Sequence, residues 1–422
     1  MALPDVAIIK TAAALPEGFR AGTVRGCAGF FRAGQDAAGR WWLVDADGRP
    51  FFCRAVHGVR AASAGEIAAR RAIGTGTSLP EEMAGERLRR LGFNAAGVGG
   101  DGSAREGGLA WMGHVDFCRA GLVIQAPGVR LPDVFDPDWP RLAALRAYDA
   151  CAPWLLNRGL IGWVTDDGPG WGQAKAGRPG LLQVCLSLEP NFAAYHAAWE
   201  FVLALHGGRI EALARAWGAA VTNKEVVRGW TRVEQGLITR GYLRDEARWA
   251  REFARRYFAD TAAAIRDADP NHLVLGCRSG GPEGEHVRAE CVYPAVDVAL
   301  LDWSELPAGV GASGPVLAGD VCWADAGFRE AAAPQRGGRK LTTLELMLRR
   351  GRAALERTAR HPAVAGYVWR QWLDEPGEQP PFARGLVHTN GAEAREHTEL
   401  LATFNARVEI LRRAPVREKI SP

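Results

Sequence analysis

The sequence has no pair of cysteines at CxxC spacing; its eight cysteines stand apart at 27, 53, 118, 151, 185, 277, 291 and 322. A zinc ribbon or a redox dithiol is therefore unsupported. Cys53, Cys185 and Cys277 sit in apolar runs and read as buried free thiols of a reducing compartment. No apolar run approaches the ~20 residues of a membrane span. The opening stretch, MALPDVAIIKTAAALPEGF, has one lysine and an apolar segment interrupted by prolines. It lacks a basic region followed by a long apolar core, so no signal peptide is expected and the location expected is cytoplasmic. There is no GxSxG elbow, Walker-type loop or HxH pair; Ser279-Gly280-Gly281 and Gly337-Gly338 read as ordinary loops. Neither sign of charge dominates: 52 basic residues face 48 acidic ones, for a net +4. That balance predicts neither a nucleic-acid nor a membrane partner.

What is present is a chain of 422 residues, 47% of them hydrophobic, enough for a large core. Residues 1–50 read as a β preamble, with a hairpin running from Arg40 through the turn DADG to Phe51. Beyond it, apolar strand-like runs alternate with helical patterns. The strands fall at Phe51–Val59, Phe93–Val98, Leu109–Phe117, Leu160–Val164, His272–Cys277, Val296–Trp303, Pro315–Val321 and Val364–Trp372. Helices are expected over Ser78–Leu91, with Ser78 as N-cap, over Trp139–Trp154, over most of Asn191–Trp217, over Arg244–Ala268, over Leu341–Arg360 and over Leu400–Arg413. Eight buried strands separated mainly by helices are the pattern of a (β/α)8 TIM barrel, here residues 51–422 as one domain with decorated βα loops.

Barrel active sites collect at the C-terminal ends of the strands. Those ends carry His57, Asp101, His114 with Asp116, Asp166 with Asp167, Arg278, Trp303 with Glu305, Asp320 with Trp323, and Trp369 with Gln371, Trp372 and Asp374. The set is rich in carboxylates, which do acid–base work on glycosidic oxygens. It is also rich in tryptophan, whose flat face covers the apolar face of a sugar; the chain has 15 tryptophans against 6 tyrosines. A competing use is a metal set from His57, Asp101, His114 and Asp116, as in barrel amidohydrolases. The single histidine on the first strand argues against it, so neither metal nor cofactor is expected.

The segments WWLVDADGRPFFCRAVHGV, GLIGWVTDDGPGW, PVLAGDVCW, HPAVAGYVWRQWLDEP and RGLVHTNG, in this order and spacing, carry a resemblance. The chain resembles the β-agarase-like glycoside hydrolases, retaining (β/α)8 enzymes with an acid/base after strand four and a nucleophile after strand seven. The resemblance implies a carbohydrate ligand, with Asp166, Asp167 and Asp320 at the catalytic positions. It implies substrate contacts from His57, His114, Trp303, Glu305, Trp323, Trp369, Gln371, Trp372 and Asp374. The catalytic motifs depart from the family's. Its strand-four Asp-Asn-Glu is Asp166, Asp167 and Gly168 here, its strand-seven Glu is Asp320, and its strand-one Asn is His57. Trp369, Gln371 and Asp374 match.

Gly168 has no proton to give, and Asp320 withdraws its carboxyl by about 1.5 Å relative to Glu. Retaining hydrolysis needs carboxyls ~5–5.5 Å apart and inverting hydrolysis ~6.5–9.5 Å. Two readings follow: an inverting pair of Asp166 or Asp167 with Asp320, or a catalytically inactive carbohydrate-binding barrel. Glu305, Asp374 and Glu375 are rim candidates for a relocated acid. A barrel metallohydrolase, built on His57, His114 and a carboxylate, is a third.

Overall fold

The computed structural model describes residues 17–61, 84–172, 179–230, 239–278, 284–291, 293–306, 314–324, 342–379 and 382–414. An antiparallel sheet comes first, of β1 (Arg32–Gln35), β2 (Trp41–Val44) and β3 (Pro50–Phe51), in the order β1-β2-β3. β2 and β3 are the hairpin expected from the DADG turn.

Eight strands then form one sheet: β4 (Cys53–Val56), β5 (Ala95–Ala96), β6 (Ala110–His114), β9 (Leu160–Asp167), β10 (Leu273–Arg278), β11 (Ala299–Asp302), β12 (Val316–Val321) and β13 (Val364–Trp369). Their hydrogen-bonded order is β10-β9-β6-β5-β4-β13-β12-β11. Strands consecutive in the chain are neighbours, save β10 and β11, which stand at the two ends of this order, and the last, β13, pairs in parallel with the first, β4, from Gly366 opposite Cys53 to Trp369 opposite Val56. A last strand that returns to the first is the defining connection of the (β/α)8 barrel, and that is the fold of this chain. Gly366 permits the approach: a Cβ there would lie 2.3 Å from the Cβ of Cys53.

Contacts divide the chain into two compact units. The first comprises Met1–Gly113, Asn157–Gly162 and Leu300–Pro422. Within it the N-terminal sheet is tied down by Trp41, whose N–H donates to the carbonyl of Pro362 at 2.7 Å. Arg412, almost wholly buried, donates to the carbonyls of Trp41, Ala359 and His361 and lies 4.9 Å from the Trp42 ring. The helix Thr343–Arg360 starts in a reciprocal capping box of Thr342 and Glu345, which satisfies two otherwise free N–H groups.

The second unit comprises His114–Leu156 and Trp163–Ala299. Its long helix Arg240–Ala268 buries Trp249, Phe253, Tyr257 and Ile265 at helical spacing and ends at Asp269, before Pro270. The expected helix at Trp139–Trp154 runs as Trp139–Cys151 and closes with a 3-10 turn, Ala152–Trp154. Gly207 and Gly208, both left-handed, break the next pattern into Ala193–Leu205 and Ile210–Trp217. Ser78 lies outside the described residues; the helix expected after it is seen over Ala84–Arg90. The antiparallel pair of β7 (Val123–Ala126) and β8 (Val129–Pro132), the parallel pair of β14 (Gln371–Leu373) and β15 (Gly385–Val387), and the helix Leu181–Ser187 are additions to the expected set.

Candidate functional site

β9 is buried along its length until Asp167, which is partly exposed. Asp166 has no accessible surface. Its Oδ1 accepts from the backbone N–H of Cys118 at 3.0 Å and its Oδ2 from the hydroxyl of Tyr257 at 2.6 Å. Burial pushes the Asp166 carboxyl up to about 6, against the pull of those two hydrogen bonds. Successive strand residues point to opposite faces, and Asp167 meets a different partner, the guanidinium of Arg278 at 2.9 Å. Gly168 donates its N–H to the carbonyl of Arg278 at 2.7 Å and holds φ at +79°. A Cβ added there would meet nothing within 4 Å, so the strand end opens on free space with no side chain in it.

Beside Asp166 lie His114, at the end of β6, and Asp116. One ligand atom from each of the three side chains falls within 4.8 Å of the others. Asp116 adopts φ +55°, in the left-handed region that few residues other than glycine enter. Its Oδ2 pairs with Arg119 at 2.8 Å, and Arg130 stands 3.7 Å from Oδ1. Arg146 donates to the carbonyls of Val115 and Asp116, fixing the turn. Burial lowers the His114 imidazole, against the nearby charges of Asp167 and Asp116. This trio could hold a cation. His57 and Asp101, the other members of the metal set expected from the sequence, are engaged elsewhere. Asp101 accepts from the N–H groups of Ala61 and Ser103 at 2.8 and 2.9 Å, and His57 Nδ1 accepts from that of Val98 at 3.1 Å.

In the first unit, Asp320 is buried on β12 with φ +50°, where the register against β13 breaks between Ala318 and Val321. A bulge of this kind re-aims a side chain. Asp302, at the end of β11, is a neighbour the sequence reading passes over; it lies one residue before Trp303, and its strand-end position is the signal that finds it. Burial raises its carboxyl, hydrogen bonds from Ser304 oppose the shift, and the charge of Asp320 adds to it. Trp303 is partly exposed. The side chain of Glu305 lies outside the described residues.

Trp323 and Trp369 have no accessible surface. Their rings meet edge to face at 4.6 Å, Trp323 Nε1 donates to His397 Nδ1 at 3.0 Å, and Trp369 Nε1 donates to the carbonyl of Arg384 at 2.9 Å. Trp372 is 4% exposed, with the guanidinium of Arg87 5.9 Å from its ring. Of the four tryptophans, only Trp303 keeps more than a trace of open face. Gln371 and Asp374 organise the loop after β13. Gln371 donates to Glu378 at 3.1 Å; Asp374 accepts from the N–H of Gly385 at 2.9 Å and pairs with His388 at 2.7 Å. Glu375 is exposed and 3.8 Å from Arg384.

No family model and no curated protein matches the chain. Solved structures do. PfGH50B shares the fold at a TM-score of 0.66 and 16% identity, over 91% of this chain and 66% of that one. An exo-beta-agarase gives 0.66 at 15% identity, over 93% of this chain and 67% of that one. The agarase AgWH50C gives 0.61 at 20% identity, over 94% and 67%. The chain spans about two thirds of the length of these proteins, and its barrel is of the β-agarase kind in fold.

Proposed function

We propose that this chain is a carbohydrate-binding barrel of agarase-like fold that does not carry out retaining glycoside hydrolysis. The observation that carries this reading is Gly168, which leaves open space at the end of β9 where the resembled family places its acid. A retaining mechanism needs a proton donor and a nucleophile on either side of the bond. Here the β9 end offers a sealed Asp166 and an Asp167 already engaged by Arg278. The partly exposed Trp303 is the aromatic face for a sugar ring. Agar oligosaccharides are the first ligands to try, because two of the neighbours named above are agarases. In this reading residues 1–50 are a preamble to a barrel domain of residues 51–422, and the Trp41 and Arg412 contacts support packing of its described part against the later chain. Nucleic acid and membrane are not partners in this reading; among the described residues no helix is long and apolar enough to cross a membrane.

A second reading is favoured by one observation, the positive φ of the buried Asp320. Non-glycine residues in that region cluster at functional sites. In this reading Asp320 is the base of an inverting carboxylate pair.

The test is calorimetric titration with a panel of oligosaccharides, with the same mixtures assayed for new reducing ends. Saturable binding without cleavage, weakened ~10-fold by Trp303→Ala, a loss of about 1.4 kcal/mol, supports the first reading. Cleavage to the inverted anomer supports the second. Absence of binding to every sugar defeats both.

A further inference from the structure

We propose that His114, Asp116 and Asp166 form a binding site for a divalent transition-metal ion, of which Zn2+ and Mn2+ are the fitting examples. The inference does not depend on the carbohydrate reading. Three observations carry it. The first is the donor set: one imidazole and two carboxylates with ligand atoms within 4.8 Å of one another. Cations bonded at ~2.0–2.2 Å hold their donors up to ~4.4 Å apart, so small side-chain rotations close the trio on an ion. The mixture of imidazole and carboxylate suits zinc or manganese, whereas calcium and magnesium prefer oxygen alone.

The second observation is a pair of unspent ligand atoms. His114 Nε2 and Asp116 Oδ1 are both buried and neither has a hydrogen-bond partner. Buried polar atoms are almost always paired, and two orphans in one cluster call for a common partner. A cation satisfies both at once.

The third is the support around the trio. The two hydrogen bonds to Asp166, from Cys118 N–H and Tyr257 hydroxyl, each occupy one lone pair of one oxygen and leave another for a metal. Arg119 takes Asp116 Oδ2 and leaves Oδ1 to the ion. Arg146 locks the backbone that presents Asp116. Such outer contacts orient the ligands of natural metal sites. Among the described residues Arg130, 3.7 Å from Asp116 Oδ1, is the cation paired with that oxygen, and it is beyond hydrogen-bonding distance. Three protein ligands leave a coordination position open for water or for a ligand oxygen.

The full chain is to be stripped with EDTA and titrated with ZnCl2 and with MnCl2, alongside His114→Gln and Asp116→Asn, with melting in EDTA as the check on folding. The expected result is one ion per chain, a rise in melting temperature on addition of metal, and affinity in each variant reduced by more than the ~10–100-fold typical of an outer-contact change. Co2+ loaded into the wild type provides a second readout that needs no variant. Its d–d bands are expected without a thiolate charge-transfer band, because the donors are nitrogen and oxygen. Absence of stoichiometric binding, unchanged affinity in both variants, or a thiolate band would each overturn the assignment.

Discussion

Glu246 lies on the helix Arg240–Ala268 with almost no exposure, and both of its oxygens accept from the N–H of Leu182, at 3.0 and 3.1 Å. The chain makes room for it at Gly180, where a Cβ would stand 2.4 Å from the carboxyl carbon. Burial raises this carboxyl from an ordinary 4.5 to about 7, against the hydrogen bonds from Leu182 and its neighbours. Between those limits the folded chain keeps a proton that the unfolded chain has released. The unfolding free energy changes with pH in proportion to protons bound unfolded minus protons bound folded, which here is negative. The contribution is therefore full below pH ~4.5 and is lost as pH rises through about 7. At ~1.36 kcal/mol for each tenfold change in proton affinity, the span comes to about 3 kcal/mol. Replacing Glu246 by Gln keeps the shape and removes the titration. Urea unfolding of both proteins from pH 4.5 to 8 checks it: the stability of wild type minus that of Glu246→Gln should fall by about 3 kcal/mol across the range. Asp166, also raised by burial, is present in both chains and cancels. A difference that stays constant within ~0.5 kcal/mol would refute the reasoning.

Two further outcomes follow from packing and titration. Gly366→Ala should destabilise the fold by about 3 kcal/mol, because the new methyl meets Cys53 backbone and Cβ that have nowhere to go; an unchanged denaturant midpoint would contradict the close pairing of β4 and β13. His397 accepts from Trp323 Nε1 through Nδ1 and donates through Nε2 to the carbonyl of Ala383 at 2.9 Å, so it is held neutral, with burial lowering its pKa. The linked stability is present above its unfolded value near ~6.5 and is lost as pH falls below it. Protonation also removes the acceptor for Trp323, a hydrogen bond worth ~1 kcal/mol, so the advantage of wild type over His397→Gln should narrow between pH 7 and 5 in thermal melts.

The fold was legible because buried parallel strands are largely apolar runs, as in LIGWV of β9 and VLAG of β12, even where a single polar residue such as Arg54 or Asn94 interrupts one. The short pairs β7–β8 and β14–β15 were not legible, since segments such as VIQA and QWL are too brief and too mixed to carry a period. The site was legible in part. Strand ends gave His114, Asp116, Asp166 and Asp320. The metal set read from the sequence joined His57 and Asp101 to His114 and Asp116; the folded chain puts Asp166 beside His114 and Asp116 instead. Asp101 turns out to serve two nearby N–H groups, an Asx-type use written in its local loop. Nor does a tryptophan at a strand end reveal whether it faces a ligand; Trp323 and Trp369 pack on each other, and Gly351 makes the space that Trp323 fills.

The most direct test of the central claim is a time course of wild type and Asp320→Ala with agar-type oligosaccharides, following both binding and the appearance of shorter products by mass spectrometry. The account predicts binding by the wild type and the same intact oligosaccharides at the end as at the start, with either protein. Turnover by the wild type that disappears in Asp320→Ala would contradict it and establish Asp320 as a working catalytic group.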